Sequence, residues 1–357
     1  MTHPFPHIRI EGTPHERGLT YGRLAAERIG KSLALYRELF AAHASLQWDE
    51  AVRRARLFEP SIKEYLPDAI EEMRGLAEGA GVSYGDILAL NCRSEIMFAL
   101  PDGCTSVIIP PEASSDGKAY IAQTWDWLKP AHEACLIVEV HQKPLPALMM
   151  VCEAGMVGGK GVNSAGMGCG LNALGIGRGR VGVPLHIMYR GIMNTVKISD
   201  AIDAIAKPAR AGCGNFFIGS AEGLVLHLEF TPESYDVLMA DTKGLAHANH
   251  FLSPLLAGQD VLKTSLTCGF PRRFRAQKLL DQLHGGLNRE NVCAVLLSDH
   301  VNFPDSVCSH EDPRDAQWSR YCTIYGIFAD LGARALWVSP ANPCEGKWKP
   351  FYLHPGA

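Results

Sequence analysis

Near residue 100 the sequence pattern changes from one typical of helices to one typical of β-strands, and this change constrains the fold more than any other feature of the sequence. The first hundred residues read as helical, with Ile29, Leu33, Tyr36 and Phe40 on one face at the spacing of an amphipathic helix. The rest of the chain predicts runs of strands interrupted by a few helices. Strands in runs with helices between them are typical of a layered α+β domain, and we expect one such domain over residues 1–357.

Local patterns place the individual elements. Ser83 and Asp86 resemble a capping box that opens a short helix ending near Leu90. An apolar, β-branched run predicts a strand over 105–111, and the Asp116-Gly117 pair predicts a turn and a returning strand over 119–127. Further strands are predicted at 135–142, 147–153, 167–172, 215–219, 224–230 and 235–240, helices at 185–194 and 272–283, and a last hairpin at 322–330 and 333–339.

Cys104 stands directly after a glycine, at the start of the first of these strands. When the two strands are paired antiparallel about their turn, position 126 or its immediate neighbour falls opposite Cys104. The sequence therefore predicts that Asp126 lies beside the thiol. The alternative is that Asp126 is a strand-end residue that pairs with a surface lysine.

A thiol in this position could cut its own chain. Attack of Cys104 on the carbonyl of Gly103, an acyl shift from nitrogen to sulfur and hydrolysis would leave Cys104 as a new N-terminus. Its α-amine, with a pKa of about 7.7 to 8.0, could then take the thiol proton. Gly103 suits such a site because it lacks a Cβ. The alternative is that Asp102-Gly103 forms an ordinary turn and that Cys104 is a small buried hydrophobe.

Motifs spread along the chain carry a family resemblance. They are Glu16-Arg17-Gly18 with Tyr21-Gly22, Asp102-Gly103-Cys104-Thr105, Gln123-Thr124-Trp125-Asp126-Trp127, Gly166-Met167-Gly168-Cys169-Gly170-Leu171-Asn172, Gly212-Cys213-Gly214-Asn215-Phe216, His247-Ala248-Asn249-His250-Phe251, and Asp299-His300 with Cys308-Ser309-His310. Their order and spacing resemble the acyl-coenzyme A:isopenicillin N acyltransferase family of peptidase C45-like, N-terminal-nucleophile enzymes. More distantly, the chain is similar to penicillin V acylases and bile salt hydrolases.

This resemblance implies a four-layer αββα sandwich. It also implies cleavage within Gly103-Cys104-Thr105, after which a helical first fragment, 1–103, and a sheet-rich second fragment, 104–357, stay together. The enzyme would act on the carbon–nitrogen bond of a small N-acyl or aminoacyl amide through a thioester acyl-enzyme, without a cofactor. Hydrolysis and transfer both remain open, and an acyl thioester is one candidate donor.

Site roles follow from the same resemblance, position by position. Cys104 would be the nucleophile, Asp126 the residue that orients it, and Asn249 a side-chain donor to the oxyanion, with Asn172 nearby. Arg320 stands where a related arginine approaches the cysteine, and the neighbouring Arg314 competes for that assignment.

Three further residues are candidates for substrate binding. Trp125 and Trp127 could line a pocket, although such residues more often belong to the core. Arg178 lies in a glycine-rich loop expected at the rim of the active site, where it could meet an acidic group of the substrate.

Composition excludes several other classes of protein. The formal net charge is -4 and the charged residues are interspersed, which argues against a nucleic acid or an anionic membrane as partner. The 11 cysteines include no C-x-x-C pair and are odd in number, which indicates a reducing compartment. The start lacks the basic and apolar run of a signal peptide, so we expect a cytoplasmic protein.

Two weaker motifs support alternative functions. The stretch 177–182 matches G-x-G-x-x-G, with Asp200 or Asp203 near the spacing of a ribose-binding acid, and would suit a dinucleotide-dependent oxidoreductase. Asp299, His300, Cys308 and His310 could bind zinc, but their spacing fits no common pattern, so we expect hydrogen-bonded histidines and a buried thiol without a metal. A ligand-binding protein of the same fold, in which Cys104 is never processed, is the principal alternative.

Overall fold

The computed structural model describes residues 3–97 and 103–353, and two β-sheets dominate it. Asp102, part of the predicted turn before Cys104, lies outside the described residues. The strands of the described part are β1 (His7–Glu11), β2 (Gly103–Ile109), β3 (Tyr120–Leu128), β4 (Cys135–His141), β5 (Leu148–Glu153), β6 (Lys160–Asn163), β7 (Met167–Asn172), β8 (Gly214–Ser220), β9 (Val225–Phe230), β10 (Tyr235–Met239), β11 (Leu245–His247), β12 (Tyr321–Asp330), β13 (Ala335–Ser339) and β14 (Lys349–Tyr352).

Helices lie between some of the strands in chain order. They are α1 (Pro14–Ala44), α2 (Trp48–Arg56), α3 (Glu59–Tyr65), α4 (Pro67–Ala80), α5 (Tyr84–Asn91), α6 (Arg93–Met97), α7 (Leu185–Met193), α8 (Ile198–Ala206), α9 (Gly269–Gln282) and the short α10 (Arg289–Asn291). Helices α1 to α6 lie between the first two strands, and the others connect later strands. In the described part of the chain, none is both long enough and apolar enough to cross a membrane.

The two sheets stack face to face. The larger has eight strands in the order β1-β4-β5-β6-β7-β8-β9-β10, and the smaller has six in the order β11-β2-β3-β12-β13-β14. Strands β2 and β3 of the smaller sheet contact β7 and β8 of the larger one. Helices α1, α7 and α8 pack on the larger sheet and α9 on the smaller. The predicted αββα sandwich is therefore confirmed.

The sheets approach each other most closely where glycines replace larger residues. A Cβ on Gly168 of β7 would lie 2.5 Å from Cδ2 of Leu331 and 2.9 Å from Cδ1 of Ile121. On Gly219 of β8 it would lie 2.6 Å from Cδ1 of Leu331. Every residue of β2, β3 and β8 is buried, so both faces of these strands are covered. The nucleophile candidate thus lies at the beginning of β2, a buried inner strand of the smaller sheet.

Glycines also set the contact between α1 and α4. A Cβ on Gly18 would lie 1.9 Å from the carbonyl oxygen of Glu72, and one on Gly75 would lie 2.1 Å from that of His15. The glycines of the amino-terminal motif therefore let two helical backbones touch. Thr13 and Glu16 form a capping box that begins α1.

Most predicted elements are present, including the capping box at Ser83 and Asp86 that begins α5. The expectation that the first hundred residues are helical needs one correction. Strand β1 lies in this region and pairs in parallel with β4, from His7 opposite Ile137 to Glu11 opposite His141. This strand has only five residues, and its neighbour in the sheet lies more than a hundred residues away in sequence. The local sequence pattern, which is mostly helical here, therefore did not predict it.

Candidate active site

Cys104 is fully buried at the beginning of β2, in the hairpin that the sequence predicts. It pairs with Trp125 of β3, and Gly103 pairs with Asp126. The acid is therefore opposite the immediate neighbour of the thiol residue. A Cβ on Gly103 would lie 2.9 Å from Cβ and 3.1 Å from Oδ2 of Asp126, so the closeness of the two strands requires glycine here.

Hydrogen bonds hold the backbone on both sides of the Cys104 Cα. Its N–H donates to Oδ1 of Asn249 at 2.9 Å, and its carbonyl oxygen accepts from Nη1 of Arg272 at 2.6 Å. Arg272 also donates through Nη2 to Oδ1 of Asn249 at 2.8 Å and through Nη1 to Oγ1 of Thr105 at 2.9 Å. One guanidinium thus fixes Cys104, the residue after it and the asparagine.

Arg272 is the site residue that the sequence analysis missed. It lies in the first turn of α9 and is 2 % exposed. Burial opposes its charge, but the nearby Cys268 and Asp126 outweigh this effect, and the pKa of the guanidinium is raised. Its buried helix face also carries Ala276, Leu279 and Leu280. The sequence did contain a signal that could have identified Arg272, because this arginine lies on the apolar face of a predicted helix.

Arg320 does not take this position. Its Nε donates to the carbonyl of Asp315 at 2.7 Å and its Nη2 to that of Pro313 at 3.0 Å, and the residue is half-buried. The competing Arg314 pairs with Asp312 and is exposed. The arginine that contacts Cys104 comes from α9, and the expectation for Arg320 is corrected accordingly.

Asp126 is 2 % exposed and has two kinds of contact with side chains. Its Oδ1 accepts from the hydroxyl of Thr323 at 2.6 Å, and Thr323 in turn accepts from the backbone N–H of Ser309 at 2.9 Å. Its Oδ2 lies 3.7 Å from Nη1 of Arg272, which is an ion-pair distance but too long for a hydrogen bond. The hydroxyl fixes the carboxylate, and the arginine supplies the compensating charge.

Asn249 presents its amide oxygen to Cys104, because two donors converge on Oδ1. Its Nδ2 donates one hydrogen to the carbonyl of Ala173 at 3.0 Å. A role as donor to an oxyanion therefore requires the second hydrogen of this nitrogen. The loop after β11 that carries Asn249 is fixed by Glu229, which accepts from His247 at 2.7 Å and from the N–H of Leu252 at 2.6 Å.

Asn172 belongs to a neighbouring buried network. Its Oδ1 accepts from the hydroxyl of Ser106 at 2.5 Å and from Nδ2 of Asn215 at 3.0 Å, and Asn215 also contacts Nδ1 of His227 at 2.8 Å. Burial lowers the pKa of His227 well below its usual value, so this ring is neutral. The network links β2 of one sheet to β7 and β8 of the other, next to Cys104.

The three predicted substrate-binding residues lie in different surroundings. Trp125 and Trp127 are 2 % and 0 % exposed and pack on Tyr325 and Tyr321, respectively. Their packing places them in the core. Arg178 is exposed in the glycine-rich loop.

That glycine-rich loop lacks the context of a dinucleotide site. The preceding strand, β7, pairs antiparallel with both of its neighbours, β6 and β8, whereas the dinucleotide fingerprint needs a parallel βαβ unit. At the end of the loop, a Cβ on Gly182 would lie 2.4 Å from the carbonyl oxygen of Ala209, so this glycine serves chain packing.

Two cavities border residues that lie close to Cys104. One, of about 430 Å³, is lined by Gly103, Asp126, Arg272 and Ser309, among others, and we call it the Gly103 cleft. The other, the Glu95 cavity, is lined by Glu95, Lys160, Leu171, Ala173, Leu174, Gly175, His186 and Tyr189, among others. It borders the asparagine, since Ala173 accepts the hydrogen bond of Asn249.

The Glu95 cavity contains buried ionisable groups. Burial raises the pKa of Glu95 to about 7 and lowers that of His186 well below its usual value. Oε1 of Glu95 accepts from the N–H of Leu185 at 2.7 Å, while Oε2 is buried without a hydrogen-bond partner among the described residues. Nζ of Lys160 lies 3.2 Å from the Tyr325 hydroxyl and 4.9 Å from the centre of the Trp125 ring. The cavity therefore offers both a carboxyl group and an ammonium group.

Two stacked sheets lie between helical layers, and a buried cysteine at the beginning of an inner strand lies beside an aspartate, an arginine and an asparagine. This arrangement is typical of N-terminal-nucleophile enzymes. The family model described as acyl-coenzyme A:6-aminopenicillanic acid acyl-transferase matches residues 113–344. The chain is 29% identical over 349 residues to the acyl-coenzyme A:6-aminopenicillanic-acid-acyltransferase 40 kDa form of Emericella nidulans, a match that spans 95% of this chain and 94% of that protein.

The chain belongs to the acyl-coenzyme A:6-aminopenicillanic acid acyl-transferase family. It is accordingly an enzyme of the N-terminal-nucleophile class of acyltransferases and amide hydrolases. Among solved structures it is similar to a variant of conjugated bile acid hydrolase from Clostridium perfringens, at 10% identity and a TM-score of 0.47 over 71% of this chain and 97% of that one. It is also similar to penicillin V acylase from Agrobacterium tumefaciens, at 12% identity and a TM-score of 0.42 over 67% and 83% of the two chains.

Proposed function

We propose that the chain cleaves itself between Gly103 and Cys104, and that the freed Cys104 then transfers or hydrolyses the acyl group of a small N-acyl or aminoacyl amide. One observation carries this proposal. The N–H and the carbonyl of Cys104 are both held by side chains, those of Asn249 and Arg272, and a buried acid lies opposite the preceding residue. A cysteine that served only as core packing would not need such an arrangement.

The cleavage step needs no other protein. The Cys104 thiol loses its proton and attacks the Gly103 carbonyl carbon, the carbon–nitrogen bond breaks, and the nitrogen takes up a proton. The resulting thioester is hydrolysed by water, which leaves a carboxylate on Gly103 and a free thiol and α-amine on Cys104. Asp126 pairs with Gly103 across the strands and so stands beside both the bond that breaks and the amine that forms.

In the catalytic cycle the α-amine of Cys104 is the base. It takes the thiol proton while sulfur attacks the acyl carbon of the substrate, and the amine leaving group departs with a proton. Asn249, which borders both the cysteine and the Glu95 cavity, is the proposed donor to the oxyanion. Asp126 orients the α-amine, and Thr323 holds Asp126 in place.

The Glu95 cavity supports a zwitterionic or aminoacyl substrate. A substrate ammonium group would give Oε2 of Glu95 the partner that it lacks among the described residues, and a substrate carboxylate would suit Lys160. Changing Glu95 to Gln should therefore raise KM for substrates with an amino group much more than for matched substrates without one. Equal effects on both would remove this cavity from the proposal.

The acceptor is water or an amine. The Emericella relative is named for transfer from acyl-coenzyme A to 6-aminopenicillanic acid, which supports an acyl thioester as the donor to be tried first. Hydrolysis would be excluded if the acyl-enzyme turned over only when an amine was supplied.

The two fragments should remain associated after cleavage. Strand β1 of the first fragment pairs with β4 of the second, and Arg17 and Arg190 from the two fragments bind the same glutamate, Glu72. Denaturing mass spectrometry should give fragments 1–103 and 104–357, while native size exclusion should show one species.

Intact mass under denaturing conditions tests self-cleavage. Freshly purified protein should give a fragment that begins at Cys104, and Cys104→Ala should remain a single chain. The matched control is Cys293→Ala, which removes another buried thiol, one in a separate apolar cluster, and should be cleaved normally. A single uncleaved chain that still binds amides would favour the ligand-binding alternative.

A further inference from the structure

Four side chains that bind transition metals come together next to the Gly103 cleft. His300, Cys308, His310 and Cys344 each offer one ligand atom, and these four atoms all lie within 4.8 Å of one another. Sequence analysis grouped three of them with Asp299 and expected no metal. Asp299 instead pairs with Arg275 at 2.7 Å, and Cys344, which is 34 residues beyond His310, completes the group.

The three distances from His310 are close to the edges of a tetrahedron around one metal ion. Nε2 of His310 lies 3.1 Å from Nε2 of His300 and 3.7 Å from the Sγ atoms of both Cys308 and Cys344. A zinc ion with bonds of about 2.0 to 2.1 Å to nitrogen and about 2.3 Å to sulfur separates its tetrahedral ligands by about 3.3 to 3.8 Å. Small movements of these side chains would bring all four into bonding distance.

The three segments that meet here explain why the sequence spacing was uninformative. His300 follows the π-helical turn Val292–Leu296, Cys308 and His310 belong to the following irregular segment, and Cys344 lies in the short helix Pro343–Glu345 after β13. Nδ2 of Asn342 lies 3.6 Å from Sγ of Cys308 and donates to the carbonyl of Ser309 at 2.7 Å. An outer hydrogen bond of this kind orients a thiolate ligand.

We propose that His300, Cys308, His310 and Cys344 bind one Zn²⁺ ion. Two neutral imidazoles and two thiolates are a ligand set that zinc prefers, and binding releases the two thiol protons. Because all four positions would be occupied by protein, the site is structural and leaves none for substrate. Cys344 and His300 are exposed, which gives the ion a path of entry.

The ion would clamp the segment that supports the catalytic acid. Ser309 lies between two of the ligands, its N–H donates to Thr323, and Thr323 donates to Asp126. The carbonyl of Ser309 accepts from the N–H of Thr323 at 2.9 Å. A metal at this point therefore fixes the backbone that holds Thr323, while remaining separate from the reacting atoms.

Metal content in the Cys104→Ala background tests this site independently of self-cleavage and turnover. Protein purified with zinc should contain about one equivalent per chain. His300→Ala and Cys344→Ser should each lower the zinc content at least tenfold after dialysis against a weak chelator. The matched controls, His284→Ala at another exposed histidine and Cys293→Ser at another thiol, should retain it.

Two further readouts decide between a metal site and its alternatives. Co²⁺ in place of Zn²⁺ should give the absorption of a tetrahedral thiolate complex, and this should be lost in Cys344→Ser. Thiol alkylation of the unfolded, unreduced protein should find both Cys308 and Cys344 as thiols. A Cys308–Cys344 disulfide, zinc below a tenth of an equivalent, or zinc retained in His300→Ala and Cys344→Ser would each overturn the proposal.

Discussion

Two buried arginine clusters differ in what their charge is used for. In the first, which we call the Glu72 cluster, Oε2 of Glu72 accepts from Nε of Arg17 at 3.1 Å and from Nη2 of Arg190 at 2.9 Å, and Oε1 accepts from Nη1 of Arg190 at 3.0 Å. We call the second the Arg272 cluster. Arg272 lies 3.7 Å from Asp126 and donates hydrogen bonds to neutral groups of Cys104, Thr105 and Asn249.

The difference separates a structural cluster from a candidate catalytic one. The Glu72 cluster is closed, because its acid is matched by charged donors at hydrogen-bond distance, and it joins the two proposed fragments. In the Arg272 cluster the acid is held by a neutral hydroxyl, and the arginine holds the backbone of Cys104, the proposed nucleophile. Buried charge alone therefore does not mark a site. What marks one is charge directed at a reactive residue.

Glu72→Gln should have the largest effect on stability. It leaves two buried guanidinium groups without a carboxylate, which costs about 3 to 5 kcal/mol of unfolding free energy. Urea unfolding measures this loss, and the folded fraction should still self-cleave at the normal rate. The control Glu71→Gln removes an exposed carboxylate whose ion pair with Arg74 is 3.7 Å long, and should change stability by less than about 1 kcal/mol. A cleavage defect in folded Glu72→Gln would contradict the assignment of the Glu72 cluster as structural only.

Arg272→Met should instead lower the rate of cleavage and turnover. The loss of a preorganised donor at a reacting group costs about 10² to 10³ in rate, or about 2.7 to 4 kcal/mol. Time-resolved mass spectrometry after a rapid start of folding measures the cleavage rate. The control Arg275→Met, on the same helix, removes a partly exposed ion pair with Asp299 and should cleave normally. If the two variants cleave at the same rate, the Arg272 cluster is structural as well.

The sequence could predict Cys104 and Asp126 because one hairpin brings them together, and a hairpin register follows from local spacing. Arg272 lies 168 positions beyond Cys104, and only the packing of α9 on β2 brings it there. The family resemblance pointed to Arg320 instead, because a resemblance in sequence does not show which arginine the folded chain brings to Cys104. Cys344 was missed for the same reason. The strands β6, β11 and β14 escaped because they have only three or four residues each.

Glu95 should make stability depend on pH. Its pKa is raised to about 7 in the folded protein by burial, so folding favours the protonated form. Its contribution is fully present below the unfolded pKa, about 4.3, and is lost as pH rises through about 7, which amounts to about 3 to 4 kcal/mol. Glu95→Gln should flatten the stability profile between about pH 4 and pH 7 in urea titrations. An unchanged slope would show that the carboxyl group is not protonated by folding.

Thr323→Val should have the smallest effect, and it tests the neutral hydroxyl that distinguishes the Arg272 cluster. The change keeps the shape of the side chain but removes the donor to Asp126 and the acceptor of the Ser309 N–H, which should cost about 1.5 to 3 kcal/mol in stability, in the cleavage barrier, or divided between them. The matched control is Thr124→Val on the adjoining strand. The Thr124 hydroxyl is buried without a hydrogen-bond partner among the described residues, so its removal should be neutral or stabilising. If both variants fold and cleave alike, the Thr323 hydroxyl does not hold Asp126, and a neutral hydroxyl does not distinguish the Arg272 cluster from the Glu72 cluster.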